Sequence, residues 1–235
     1  MVSKRRNSER VYFARDPDVE TGQRVAVAKL FGCVRVVTND SISVRRAAYK
    51  NGEPFPTYGV LAKQLITDAK QTGEREWLGE VSPVPLQSAL RDATQAYKNF
   101  FDSLSGKRKG RKMGLPRFKK KNGRQTARFT RNARFKIRKG NTNHYLLTLP
   151  GIPGELRIKC SRPIPDDPSS VTLIRDADGT LHASFCHDVE QAVLDAQKKP
   201  PVVSVLGIDV GLESLTANAQ LSYNEAGNVS RVQRV

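Results

Sequence analysis

An α+β fold is predicted by three features of the 235-residue sequence. Apolar residues recur at helical spacing as far as residue 104. Beyond residue 134 the period falls to two, in short runs separated by turn residues. Near the end an apolar run, VVSVLGI (202–208), carries Asp209 at its far end between Gly207 and Gly211.

VYFARD, near the N-terminus, reads as a strand. A helix then runs roughly from Gly22 to Lys50, and a second from Tyr58 to about Thr72 after the NGEPFP breaker. The third is the clearest. Leu86, Leu90, Ala93, Tyr97, Phe100 and Leu104 form one apolar stripe, with Pro83 and Pro85 at its start and Gly106 at its end. Trp77 is expected to anchor this helical unit. Arg91 and Lys98 lie on the face away from the stripe, where solvent or a nucleic acid would meet them. Downstream, RFKIRKG, HYLLTLP, GELRIKC, SVTLIRD and TLHASFCHD read as strands of a small barrel or sandwich. The last two flank DADG (176–179), whose Asp-Gly supplies the positive φ of a tight hairpin. His144, His182 and His187 are expected at solvent-facing strand positions. QAVLDAQKKPP (191–201) reads as a linker, and 202–235 as a final three-stranded meander.

Charge narrows the function. Forty Lys and Arg against 23 Asp and Glu give a net charge of +17 and a pI near 10.1. No acidic residue lies between Asp102 and Glu155, and Lys107–Lys139 holds 16 basic side chains. A face that is merely solvated mixes signs; this one does not. Such a run attracts polyanions, nucleic acid above all. Its expected contacts are Arg108, Lys109, Arg111, Lys112, Arg117, Phe118, Lys119, Lys120, Lys121, Arg124, Arg128 and Arg131. Phe118, Phe129 and Phe135 interrupt the run, either as stacking rings or, for any one of them, as core anchors of short strands. No run of about 18 apolar residues is present to span a bilayer, and no apolar segment follows the basic N-terminus as in a signal peptide. Cys33, Cys160 and Cys186 are far apart, without a CxxC pair, and read as reduced thiols of a cytosolic protein.

Asp209 raises a separate question. An aspartate ending the first strand of a meander is a feature of RNase H-like nucleases, where clustered carboxylates hold two magnesium ions that activate water. One carboxylate builds no such site, and after Asp209 only Glu213 and Glu225 follow. Asp188 and Glu190 precede it, with nothing to mark them. The other reading of Asp209 is a strand-end cap.

FGCVRVVTND (31–40), LQSALRDATQAYKNFF (86–101), GLPRFKKK (114–121) and LGIDVGLESLTAN (206–218), in that order, resemble the TnpB-type (OrfB) proteins of bacterial insertion sequences. These are RNA-guided nucleases related to type V CRISPR effectors. The resemblance implies a wedge-type β-barrel with an inserted helical recognition bundle, followed by the first strands of an RNase H-like (RuvC) domain. On that plan 1–21 holds the first wedge strand, 22–104 the helical insert, 105–190 the basic segment and wedge barrel, 191–201 the linker, and 202–235 part of the nuclease domain. It also implies a guide RNA from the element's 3′ end, a target DNA read by base pairing, magnesium as the family's cofactor, Asp209 as its first catalytic and metal-binding aspartate, and a place in the bacterial cytoplasm at the nucleoid.

The departures set further expectations. RVYFARDPDVETGQ matches the family's opening only in its strand and in Gln23. The family's later catalytic Glu, zinc ribbon and final Asp have no counterpart in the sequence. The expectation is therefore a C-terminally truncated member that binds nucleic acid, holds no zinc, binds magnesium weakly at best and does not cut alone. A downstream-encoded C-terminal fragment would complete it. A nuclease-dead RNA-guided DNA-binding regulator and a non-functional transposase remnant are alternatives within the family. An unrelated basic RNA-binding protein explains the charge but not GLPRFKKK and GIDVG in order.

Overall fold

The computed structural model describes residues 4–13, 21–140, 144–160, 164, 167–190, 204–209, 217–223 and 229–234. It falls into two compact units, Arg6–Asp188 and one made chiefly of the residues from Val189 onward. The expected linker, 191–201, lies outside the described residues.

In the first unit β1 (Lys4–Phe13) precedes three helices, α1 (Thr21–Lys50), α2 (Tyr58–Ala62) and α3 (Pro83–Leu104). Six strands follow: β2 (Gln125–Thr130), β3 (Lys136–Lys139), β4 (His144–Thr148), β5 (Leu156–Lys159), β6 (Ser170–Arg175) and β7 (Leu181–Glu190). α1 buries Val27, Leu30, Phe31, Val34, Val37, Thr38, Ser41, Ile42, Arg45 and Ala48, which recur every three to four residues as one stripe. It stops in a Schellman cap. Gly52 sits at φ 69°, Glu53 N–H donates to Ala48 C=O and Gly52 N–H to Tyr49 C=O. Gly supplies the left-handed φ there without strain.

The second helix departs from the expectation of one α-helix over 58–72. After the Thr57 cap and α2, residues Lys63–Asp68 form a π-helical turn and Ala69–Gln71 a 3₁₀ turn. Leu61 and Ile66 are both buried and lie five residues apart. The wider i→i+5 turn puts that spacing on one face. α3 starts on prolines as expected, but its buried stripe ends at Tyr97; Leu104 is 76% exposed.

The sheet order is β2-β6-β7-β1-β5-β4-β3. The alternation that predicted strands at β3 to β7 holds, and Asp176 and Gly179, at φ 87°, close the expected β6–β7 hairpin. The sequence reading missed β2. Gln125, Ala127 and Phe129 alternate inward, but the surrounding cations hid the period. Phe129 is fully buried opposite Val171, so of the three interrupting phenylalanines it is a core anchor. His182 corrects another expectation: it is buried, not solvent-facing, and its Nε2 lies 2.8 Å from Asp176 Oδ2.

The two edge strands, β2 and β3, are joined only by residues 131–135, part of which is a 3₁₀ turn closed by Arg134 at φ 56°. A flat seven-stranded sheet would hold its edges about 29 Å apart at ~4.8 Å per step. Six residue steps reach about 21 Å at most. The sheet is therefore curled. Its inner face and the helices share one core, in which Phe31, Val34, Leu86 and Leu90 join Phe129, Val171, Leu173 and Phe185.

The second unit is a three-stranded antiparallel sheet, β8 (Ser204–Asp209), β9 (Ala217–Tyr223) and β10 (Val229–Arg234), in the order β10-β9-β8. Among the described residues no helix is long and apolar enough to cross a membrane.

Two outcomes follow. Phe129→Ala should destabilise the first unit by about 3–5 kcal/mol, read as a lowered denaturant midpoint with unchanged m-value. Cys33 and Cys160 are buried, and burial pushes both thiols up to about 11. Iodoacetamide at mildly alkaline pH should alkylate the half-buried Cys186 first, as peptide mass spectrometry would show.

Candidate nucleic-acid interface

The basic segment leaves α3 at Gly106 and returns to the sheet at β2. Its first part folds back on the helix end, where Arg108 N–H donates to Asp102 C=O and Met113 N–H to Ser103 Oγ. Its second part, GLPRFKKK, runs extended along α1. Asn39 reads the backbone of Lys119 in both directions: Lys119 N–H donates to Asn39 Oδ1 at 2.7 Å, and Asn39 Nδ2 donates to Lys119 C=O at 3.1 Å. About two turns further on, Arg46 donates to Pro116 C=O at 3.0 Å, and its guanidinium lies 4.6 Å from the centre of the Phe118 ring. At the far end Gln125 Nε2 donates to the carbonyls of Lys120 and Gly123, and Arg175 to that of Lys121. Gln125 is buried, so a turn in the cationic run is pinned from beneath.

These contacts divide the expected binding residues into two populations. Arg108, Lys109, Arg111, Lys112, Arg117, Lys120 and Lys121 are exposed, and no ion pair neutralises them among the described residues. The others are spoken for. Arg124 pairs with Asp176 at 3.3 Å, Arg131 with Asp167 at 2.8 Å, and Arg128 with Asp92. Lys119 is half-buried and its Nζ donates to Thr126 Oγ1 at 3.4 Å. Burial pulls its ammonium below the ordinary lysine value, with Asp92 opposing. Phe118 is 47% exposed, one face covered by Arg46.

Lys119, Arg124 and Arg128 line a cavity of about 350 Å³ with Asp92, Thr126 and Ser184, between α3 and the β2-β6-β7 edge of the sheet. Gln23, noted only as a family match, has a structural role. Its Nε2 donates to Pro153 and Glu155 carbonyls beside Gly154, where a side chain would crowd the amide. Trp77 is half-buried against the core, as expected of an anchor, and its Nε1 donates to Glu74 C=O. Arg91 stacks over Tyr58 at 5.2 Å.

Asp209 ends β8, in register with Ala217 of β9. Glu213 and Glu225 lie outside the described residues. Among the described residues no three His, Cys, Asp or Glu side chains converge as metal ligands. Magnesium needs near-octahedral oxygen coordination, which Asp209 alone does not supply, so no hydrolytic step follows from the described residues.

Together these features define an α+β protein whose curled sheet carries a helical insertion and a tethered, exposed run of cations. Comparison places it. A helix-turn-helix domain family of OrfB proteins (HTH_OrfB_IS605) matches residues 19–54, of which Thr21–Lys50 here form one continuous helix, α1. A Streptomyces pristinaespiralis protein named "Putative RNA-guided DNA endonuclease" is 35% identical over 82% of this chain and 44% of its own length. An Escherichia coli (strain K12) protein named "Putative RNA-guided DNA endonuclease InsQ" is 26% identical over 82% of this chain and 43% of its own length. The resemblance to the TnpB-type (OrfB) family is thereby shown. The chain spans less than half the length of these curated relatives.

The Asn39 clamp is directly testable. Asn39→Ala removes two hydrogen bonds, worth about 2 kcal/mol together. Limited trypsin digestion should then cut at Lys119–Lys121 several-fold faster, with cleavage elsewhere unchanged.

Proposed function

We propose that this chain forms the nucleic-acid-binding part of an RNA-guided DNA endonuclease of the TnpB/OrfB type, holding a guide RNA and the target DNA paired to it. One observation carries the reading: GLPRFKKK is fixed through its backbone to Asn39, Arg46 and Gln125. Its exposed cations, Arg117, Lys120 and Lys121, are thus left for an external polyanion. Holding a segment by its main chain while leaving its charges unpaired serves phosphate binding better than it serves stability. Likeness to relatives named as RNA-guided DNA endonucleases supplies the kind of nucleic acid. In this reading the curled sheet is the wedge barrel, the helices are the recognition insert, and β8–β10 open the RuvC-like domain.

Asp209 is then the first carboxylate of the nuclease centre. Magnesium is the metal such a centre takes, and no zinc is involved in what these residues do. The 235-residue chain binds without cutting.

The chain, expressed in a bacterial host with flanking element DNA, should copurify with one defined RNA from the element's 3′ end. A smear of cellular RNA would overturn the guide assignment. Arg117→Ala, Lys120→Ala and Lys121→Ala together should flatten the slope of log K against log salt by about 2–3, since each phosphate contact contributes about 0.7–0.9. Arg138→Ala, a cation already paired with Glu155, should leave that slope unchanged. Asp209→Asn should leave RNA affinity intact, and magnesium-dependent cleavage that this substitution abolishes would contradict the binding-only assignment.

A further inference from the structure

Towards the C-terminal ends of α1 and α3, an aromatic patch faces solvent. Phe55 and Phe101 are 42% and 47% exposed and meet edge to face, ring centres 5.7 Å apart at 85°. Tyr97 lies beneath, 5.4 Å from Phe55. Isolated exposed phenylalanines need no explanation, but two in contact, with Leu104 and Met113 also exposed nearby in the chain, form a patch.

What lies under and beside it indicates the occupant. Arg45 is 1% exposed and has no carboxylate partner among the described residues. Its guanidinium sits 5.1 Å from the Phe55 ring centre and 5.2 Å from that of Tyr97. One nitrogen donates to Thr94 Oγ1 at 2.7 Å, while Nε and Nη1 have no hydrogen-bond partner. A buried cation left uncompensated projects its field through a low-dielectric layer, here the aromatic one. Beside the rings, the loop of Lys107, Arg108, Lys109, Arg111 and Lys112 is folded onto the end of α3 by the Arg108–Asp102 and Met113–Ser103 hydrogen bonds. The acids nearest in sequence are Glu53 and Asp102.

A protein partner would have to match apolar rings ringed by cations. A single nucleic-acid strand matches both at once, with bases on the rings and phosphates on the loop. We propose that Phe55 and Phe101 form a stacking platform for unpaired bases, with Lys107–Lys112 gripping the adjoining phosphates. Its rings are distinct from that of the GLPRFKKK track, where one face of Phe118 lies against Arg46. This rests on the nucleic-acid-binding function proposed above and adds that one part of the surface selects single strands.

The test uses the full chain, a short single-stranded RNA carrying 2-aminopurine, the DNA strand of the same sequence, and the matching duplex. Phe55→Leu/Phe101→Leu keeps apolar packing but removes the rings. It should abolish the 2-aminopurine quench and weaken both single strands by about tenfold, with duplex affinity and salt slope unchanged. Substituting alanine for Lys107, Arg108 and Lys109 should instead flatten the slope. If the unchanged protein binds RNA with a steep salt slope but the leucine variant behaves identically, the platform is refuted and the binding function survives. The same holds if single strand and duplex weaken equally. If the unchanged protein binds no RNA at all, both fail.

Discussion

The paired hydrogen bonds between Asn39 and the backbone of Lys119 govern how the cationic surface is presented. They fasten an extended segment to the side of a thirty-residue helix, much as a neighbouring strand would. Without such a fastening, a run of like charges repels itself into an ensemble. With it, the main chain is ordered and only the side chains remain available. The helix that does this is itself fixed at its start by Gln23 and along its length by the core shared with the sheet.

Charge in space differs from charge along the chain. Residues 103–154 contain no acid, yet Arg124, Arg128, Arg131 and Arg138 each meet one, contributed by Asp176, Asp92, Asp167 and Glu155. Those acids sit on α3, on β6–β7 and on the turns between strands, so only folding brings them in. The segment therefore changes character near Lys121. Before it the cations other than Lys119 face outward unpaired; after it Arg124, Arg128, Arg131 and Arg138 are drawn into ion pairs.

Where a periodic pattern coincided with burial, the sequence was readable: α1, α3, the β6–β7 hairpin and the last meander follow from spacing and turn residues. β2 escaped because Arg124, Arg128 and Arg131 dominate a stretch whose inward residues are only Gln125, Ala127 and Phe129. The π turn escaped because a five-residue apolar spacing has no conventional helical reading. At the interface, exposed cations were legible as such, but Asn39, Gln125, Arg175 and the buried Arg45 were not. Each acts through a partner about forty to eighty residues or more away, or across a packed interior, except where Gln125 reaches back to its own turn. FGCVRVVTND, which contains Asn39, was the one available signal.

The place of β1 in the sheet bears on how the protein is made. This strand lies between β7 and β5, and Tyr12 pairs with Lys159. At about 5–20 residues per second, a ribosome needs roughly ten to thirty seconds after making β1 before its partner emerges. The helices can form in that interval from local contacts alone, while the strand waits with its backbone unsatisfied. Its sequence suits the wait: KRRNSERVYF carries five charged side chains in its first seven residues, a composition that discourages pairing with the wrong chain. Charges that favour nucleic acid elsewhere would here keep a nascent strand soluble until the rest of its sheet exists.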